Sequence, residues 1–142
     1  MNEKQVIVVV IDGQGGRIGK LIVEEVKKKI PEAEVIAVGT NSTATAAMLK
    51  GGADDGATGE NSVIVASRRA DFIIGPIGIL AADSMIGEVT EKMAAAVGRS
   101  PAKKVLIPVN RCQIAIAGVE SRSPAQFVPE AVEVVRKALL KE

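Results

Sequence analysis

The sequence contains no histidine, tyrosine or tryptophan, and its only aromatic side chains are Phe72 and Phe127. A Ser-His-Asp triad, a histidine-ligated metal site and a Tyr–Lys reductase pair therefore cannot be built from this chain. No aromatic wall is available to stack a flavin ring. We predict no metal site, and any catalysis would rest on Asp, Glu, Lys, Arg, Ser, Thr, Asn or Cys112.

Cysteine and excess charge are equally scarce. Cys112 is the single cysteine, which excludes an internal disulfide. The net charge is only +1, which argues against a nucleic acid or an anionic membrane surface as partner. We expect no signal peptide before the first strand, and no apolar run in the sequence is long enough to span a bilayer. We expect a single domain over residues 1–142 in the reducing cytoplasm.

Strand and helix patterns alternate along the chain, which predicts an α/β fold: a Rossmann-like three-layer sandwich around a mainly parallel sheet, with the first strand central. A three-residue link after the fifth strand suits a hairpin, so residues 113–119 are expected to form an antiparallel edge strand. Pro129 is expected to open the C-terminal helix. The predicted strands are 6–11, 34–38, 55–57, 71–74 and 104–109, and the clearest helices are 18–30, 43–50, 90–97 and 129–140.

The most informative segment runs from Val6 to Lys20. Its first six residues are all valine or isoleucine, which is typical of a strand buried on both faces. A glycine turn and a helix N-terminus follow, an arrangement that binds phosphate through free N–H groups and the helix dipole. Glycines without a Cβ let the phosphate approach the backbone. The predicted phosphate-binding residues are Asp12, Gly13, Gln14, Gly15, Gly16, Arg17, Ile18, Gly19 and Lys20.

Several of these residues have a second interpretation. Arg17 and Lys20 either neutralise a phosphate or form the polar face of the first helical turn. Asp12 either holds a ribose or a magnesium ion, or braces the glycine turn. Cys112 beside Arg111 is either a thiol of lowered pKa or a small packed residue.

The glycine segment departs from two known nucleotide-binding patterns. The dinucleotide fingerprint needs a glycine where Ile18 stands and an acidic residue after the second strand. The chain instead has Thr40-Asn41-Ser42, which permits a 2′-phosphate, so NAD is disfavoured and NADP is allowed. The phosphate-loop NTPase pattern also fails, because Leu21 replaces the magnesium-binding hydroxyl and Gln14 replaces the first glycine.

Other polar loops follow the predicted strands. In an open parallel sheet these loops share the carboxyl edge, where ligands bind. Turns and helix caps need the same residue types, so each loop also has a purely structural explanation. The further candidate ligand-binding residues are Thr40, Asn41, Thr58, Glu60, Asn61, Gly75, Pro76 and Asn110, with Asp83 and Ser84 as weaker candidates.

Five segments resemble the motifs of one family. They are residues 12–20 (DGQGGRIGK), 39–41 (GTN), 56–61 (GATGEN), 75–78 (GPIG) and 107–112 (IPVNRC). The family is a bacterial one of short Rossmann-like proteins, classified as a domain of unknown function. The resemblance covers nearly the whole chain and implies a single-domain prokaryotic cytosolic protein. It brings no activity, ligand or catalytic residue with it.

The sequence therefore predicts a protein that binds a nucleotide or another phosphate-bearing small molecule, with NADP among the possible cofactors. One alternative is a small NADP-linked reductase or transferase; because 142 residues leave little room for a second substrate, it would act as a homodimer with its site at the interface. Another is a non-catalytic regulatory or assembly subunit, for which residues 77–86 would be an exposed apolar face. The same residues are equally compatible with a buried helix.

Overall fold

The computed structural model describes residues 4–109 and 113–141. Within them, five strands alternate with five α-helices. The strands are β1 (Ile7–Asp12), β2 (Glu34–Gly39), β3 (Asp55–Thr58), β4 (Phe72–Pro76) and β5 (Lys103–Ile107). The helices are α1 (Arg17–Lys29), α2 (Ser42–Lys50), α3 (Glu60–Arg69), α4 (Glu91–Arg99) and α5 (Pro124–Leu140), and a 3₁₀ turn at Ile77–Leu80 follows β4.

The sheet has the order β3-β2-β1-β4-β5, and every pairing in it is parallel. The first strand is central, because Val9 lies opposite Ile36 of β2 on one side and opposite Ile73 of β4 on the other. The chain steps from β1 out to β3, then crosses back past β1 to β4. This order confirms the predicted Rossmann-like α/β fold and places a topological switch point beside β1.

Alternate residues of β1 face two separate cores. Val8 and Val10 pack in a cluster with residues of α1, α2 and α5. Val9 and Ile11 pack on the opposite face with residues of α3 and α4. All four are buried, as the run of β-branched residues predicts for a central parallel strand.

The predicted antiparallel edge strand is wrong. Residues 113–119 join no strand, and β5 is the last strand of the sheet in the described part of the chain. The chain turns instead of continuing extended: the Val119 N–H donates to the Ile116 carbonyl over 3.3 Å, and Gly118 has a φ of 84°. Gly118 in this turn and Arg122 beyond it line an open groove beside β5 and α5.

The C-terminal helix also begins earlier than predicted. It starts at Pro124 rather than Pro129, because Gln126 Oε1 accepts the Ser123 N–H over 2.9 Å and fixes the first turn. Pro129 lies inside the helix and costs it one backbone hydrogen bond. At α4 the predicted N-cap is confirmed, since Thr90 Oγ1 accepts the Met93 N–H. No helix in the described residues is long and apolar enough to cross a bilayer.

Candidate functional site

Two connections meet at the carboxyl edge beside the switch point. One is the glycine loop, residues 13–16, which joins β1 to α1. The other is the β4–α4 connection, residues 77–90, which begins with the 3₁₀ turn. In open parallel sheets the crevice between such connections is the usual ligand position.

Asp12 braces the glycine loop. It ends β1, is 6% exposed, and accepts the Gly13 N–H on Oδ1 (2.8 Å) and the Gly19 N–H on Oδ2 (2.7 Å). Burial raises the pKa of this carboxyl group, the two N–H donors partly oppose that rise, and the nearby negative charge of Glu88 adds to it. Of the two interpretations of Asp12, the bracing one describes the observed contacts.

Two glycines of this region are required by close packing. Gly16 has a φ of 73°, and a Cβ there would lie 2.7 Å from the Cα of Ala44. At Gly19 a Cβ would lie 2.6 Å from the sulfur of Met48. These contacts let α2 approach the start of α1, so both glycines have a structural explanation.

Gly15 differs from them. It is exposed, a Cβ there would meet nothing within 4 Å, and its φ is outside the left-handed region. The fold does not require a glycine at this position.

The start of α1 presents free N–H groups. Gly16 is the N-cap, no side chain caps the helix, and the first helical hydrogen bond runs from the Lys20 N–H to the Gly16 carbonyl. Among the described residues, no acceptor pairs with the N–H groups of Gly15, Arg17 and Ile18. They lie at the positive end of the helix dipole. The Arg17 side chain is exposed beside them, and Lys20 is half-buried one turn further along.

Glu88, which the sequence analysis did not identify, lies against the glycine loop. Its Oε1 atom accepts three hydrogen bonds: from Thr40 Oγ1 (2.6 Å), the Gln14 N–H (2.8 Å) and Asn41 Nδ2 (2.9 Å). The Thr40 hydroxyl, followed by the other two donors, lowers the pKa of this carboxyl group against a smaller opposing effect of burial. No motif marks Glu88; its only sequence signal is an acidic residue in the connection that the strand order places beside β1.

Asn41 joins the β2–α2 loop to the same point. Its Oδ1 accepts the Ala44 N–H and caps α2, so its Nδ2 faces the Gln14 carbonyl (3.0 Å) and Glu88. The predicted residues Gln14, Thr40 and Asn41 are therefore brought together, through a carboxylate that was not predicted.

The predicted residues of the later loops have structural partners. Thr58 Oγ1 shares a 2.7 Å hydrogen bond with Thr45 Oγ1, and Glu60 Oε1 accepts the Thr90 hydroxyl over 3.0 Å. These contacts tie together the starts of α2, α3 and α4. Asn61 is exposed at the start of α3.

The structure does not place the remaining predicted residues at the contact between the glycine loop and Glu88. Gly75 and Pro76 are buried within β4, where a Cβ on Gly75 would collide with the Ile11 carbonyl oxygen. Asn110, Arg111 and Cys112 lie outside the described residues. The described part of the chain contains no cluster of three or more His, Cys, Asp or Glu residues suited to a metal ion.

Residues 81–89, here called the covering segment, close over the glycine loop. A Cβ on Gly13 would lie 2.5 Å from the sulfur of Met85 and 2.9 Å from Glu88 Oε1. Several hydrogen bonds shape the segment, and the shortest run from the Ser84 hydroxyl to the Gly78 carbonyl (2.6 Å) and from the Asp83 N–H to the Val89 carbonyl (2.7 Å). It is neither the buried helix nor the uniform apolar face that residues 77–86 allow.

Two open grooves in the described part of the chain lie away from the glycine loop. One, of about 430 Å³, runs between α3 and α4 and is lined by Arg68, Lys92 and Arg99. The other, of about 450 Å³, lies between β5 and α5. Their size does not make either of them the better candidate, because the free N–H groups and the convergent polar side chains lie at the glycine loop.

The strand order and the contacts at the carboxyl edge of the sheet define a Rossmann-like α/β protein. Its glycine loop lies at the switch point and is covered by residues 81–89. The chain belongs to the family described as Domain of unknown function (DUF3842), whose model matches residues 7–140. This confirms the resemblance to a family of unknown function.

Similarity to other proteins is low. No curated protein matches the sequence. The dodecameric FMN-dependent UbiX-like decarboxylase from Escherichia coli O157:H7 has a similar structure, with 18% identity, a TM-score of 0.47, and coverage of 93% of this chain and 76% of that one. The universal stress protein from Archaeoglobus fulgidus matches with 17% identity, a TM-score of 0.42, and coverage of 73% and 98%. Both likenesses are too remote to bear on what this chain binds.

Proposed function

We propose that this protein binds a phosphate-bearing small molecule, and specifically a nucleotide, at the glycine loop between β1 and α1. The observation that carries the proposal is the group of three unpaired N–H donors, on Gly15, Arg17 and Ile18, at one end of a helix. Phosphate oxygens match such donors, and the helix dipole favours a negative charge there.

Gly15 gives independent support. Packing or backbone conformation accounts for Gly13, Gly16 and Gly19, but neither accounts for Gly15. In this proposal, close approach of a ligand to the backbone accounts for a residue without a Cβ at this position. A side chain at this position would fill the space through which a phosphate reaches the N–H groups.

The backbone alone cannot supply the affinity. A helix N-terminus contributes about 0.3–2 kcal/mol to binding a charged group, whereas micromolar affinity requires about 8 kcal/mol. In this proposal Arg17 and Lys20 balance the phosphate charge. Asn41 at the start of α2, Thr58 at the end of β3 and Glu60 at the start of α3 orient the bound ligand.

The first test is to look for a ligand that purifies with the protein. Without Trp or Tyr, the chain absorbs almost nothing where nucleotide bases absorb. We expect the purified protein to show a base-like absorption band and to release a molecule of matching mass on denaturation. The nucleotide proposal is contradicted if neither the purified protein nor a protein incubated with nucleotide and then desalted retains such a molecule.

The second test places the ligand. Gly15→Ala and Gly15→Val should both leave the fold intact. Both should reduce ligand retention, and the larger valine side chain should reduce it more than alanine does. Gly98→Ala is the matched control, because a Cβ there makes only an ordinary 3.8 Å contact with Leu80, away from the glycine loop. Equal retention by the wild type and both Gly15 variants would rule out binding at this loop.

A further inference from the structure

Three donors from two different loops converge on a single oxygen atom. The Gln14 N–H comes from the glycine loop, whereas the Thr40 hydroxyl and the Asn41 amide come from the β2–α2 loop. We call these three donors the oxyanion seat. In this structure the seat is occupied by Glu88 Oε1 at 2.6–2.9 Å.

The seat is built without help from Glu88. The Thr40 N–H donates to the Asp12 carbonyl over 3.0 Å, which joins the two loops through the backbone. The Asn41 amide is oriented because its Oδ1 caps α2 at the Ala44 N–H. Its Nδ2 also donates to the Gln14 carbonyl. The Asn41 amide and the backbone of the two loops therefore keep their positions if the carboxylate leaves, and the Thr40 hydroxyl remains beside them.

The segment that carries Glu88 is built for release rather than for permanent packing. Asp83, Met85 and Ile86 all have φ between 55° and 67°, a region that L side chains rarely adopt. Ile86 is 97% exposed, so no buried contact compensates for its conformation. The covering segment has two apolar anchors, the buried Val89 at its end and the half-buried Met85, which packs against the core on the side of α3 and α4; its other contacts are hydrogen bonds that water could replace.

We infer that Glu88 is an internal competitor of the ligand: its carboxylate occupies the oxyanion seat, and an oxygen of the incoming phosphate displaces it and opens the covering segment. This inference rests on the proposed function. A carboxylate and a phosphate cannot share the seat, because each would place an anionic oxygen on the same three donors. Like charges at such short range also repel.

The test measures binding of inorganic phosphate by calorimetry to the wild type, Glu88→Ala and Glu88→Gln. We expect Glu88→Ala to bind phosphate about tenfold or more tightly than the wild type, because the seat is empty and a like charge is gone. Glu88→Gln should fall between them, since its neutral amide can still fill the seat. Asp83→Asn is the matched control: it removes the same charge from an exposed position in the covering segment, and Asn tolerates the positive φ.

Hydrogen exchange supplies a second readout. Phosphate should accelerate amide exchange in residues 81–89 of the wild type, and Glu88→Ala should show fast exchange there without phosphate. The inference is overturned if Glu88→Ala binds no more tightly than Asp83→Asn while the wild type binds, which leaves the proposed function intact. Weaker binding by Glu88→Ala would also overturn it, since Glu88 would then assist the ligand. Absence of saturable phosphate binding in every variant would overturn the phosphate site itself, and the competitor role with it.

Discussion

The glycine loop and the covering segment face each other across the switch point and are held differently, although Gln14 in the loop also has a positive φ, of 50°. The glycine loop is braced from beneath by a buried carboxylate, Asp12, and is packed against the backbone of α2 at Gly16. The covering segment places Asp83, Met85 and Ile86 in left-handed conformations and leaves Ile86 almost fully exposed. Its hydrogen bonds to the glycine loop and the β2–α2 loop come from one side chain, Glu88.

This difference separates a preformed binding surface from a movable cover. Buried contacts are costly to break, whereas a strained segment whose buried apolar contacts are limited to Met85 and Val89 opens at a smaller cost in free energy. We therefore expect substitutions at the packed and braced positions, Gly16 and Asp12, to lower global stability. Substitutions in the covering segment should act on local opening and ligand access, and relief of its backbone strain should raise stability.

The largest effect is expected from Gly16→Ala. The new Cβ would collide with the Ala44 backbone, and the residue would keep a φ of 73°. The combined overpacking and backbone strain should lower the free energy of unfolding by roughly 2–6 kcal/mol in a urea titration. Gly15→Ala should change it by less than about 0.5 kcal/mol. Equal losses for the two variants would contradict the distinction between these glycines.

Asp12→Asn tests the brace. An amide has one acceptor oxygen, so either the Gly13 or the Gly19 N–H would face an NH₂ group instead of an oxygen. Leaving a buried N–H without an acceptor should lower the free energy of unfolding by about 1–3 kcal/mol in urea. Asp83→Asn, at an exposed position, should have almost no effect. An unchanged stability of Asp12→Asn would show that the brace is not needed.

Ile86→Gly should stabilise the protein. Glycine adopts the left-handed conformation that costs an L residue about 1–2 kcal/mol, less the conformational entropy that glycine loses on folding. A net gain of about 1 kcal/mol in thermal or urea unfolding is expected. Ile86→Ala is the control, because it removes the exposed side chain but keeps the Cβ and the strain. Stabilisation by alanine as large as that by glycine would locate the effect in the side chain instead.

The smallest effect is a pH dependence of stability at Glu88. Its pKa is lowered below the ordinary value of 4.5 by its three donors, so its ionised form stabilises the folded state. This contribution is present above pH 4.5 and is lost as the pH falls through the lowered pKa. The stability difference between wild type and Glu88→Gln should therefore shrink on acidification in urea titrations at successive pH values. A difference that grows toward low pH would contradict the assignment.

Much of the fold follows from local patterns in the sequence. The unbroken β-branched run of β1 predicts a strand covered on both faces, and Thr90 predicts the start of α4. The prediction of an antiparallel strand was wrong because the short apolar run at 113–119 is equally compatible with an exposed turn, which Gly118 favours. The start of α5 was misplaced because Pro129 and Pro124 are both suited to a first helical turn, and only the Gln126 contact distinguishes them.

The sequence predicted the glycine loop of the candidate site, but it did not predict the contact of the covering segment with that loop. Glycines after a buried strand identify the loop from local sequence, and parallel strand order brings Thr40 and Asn41 to it. Glu88 is 48 residues from Thr40, and only the folded chain shows that they touch. The sequence also does not show which of the four glycines at positions 13, 15, 16 and 19 are required by packing. The answer depends on the contacts that a Cβ would make at each position, and these are known only from the structure.

The most direct test of the phosphate site is an amide-resolved NMR titration of the wild-type protein with inorganic phosphate. Our account predicts saturable shifts centred on the N–H groups of Gln14, Gly15, Arg17 and Ile18, with smaller shifts in residues 81–89 as the covering segment opens. Shifts centred instead on Arg68, Lys92 and Arg99, in the groove between α3 and α4, would contradict it. So would a spectrum in which none of these four amides responds.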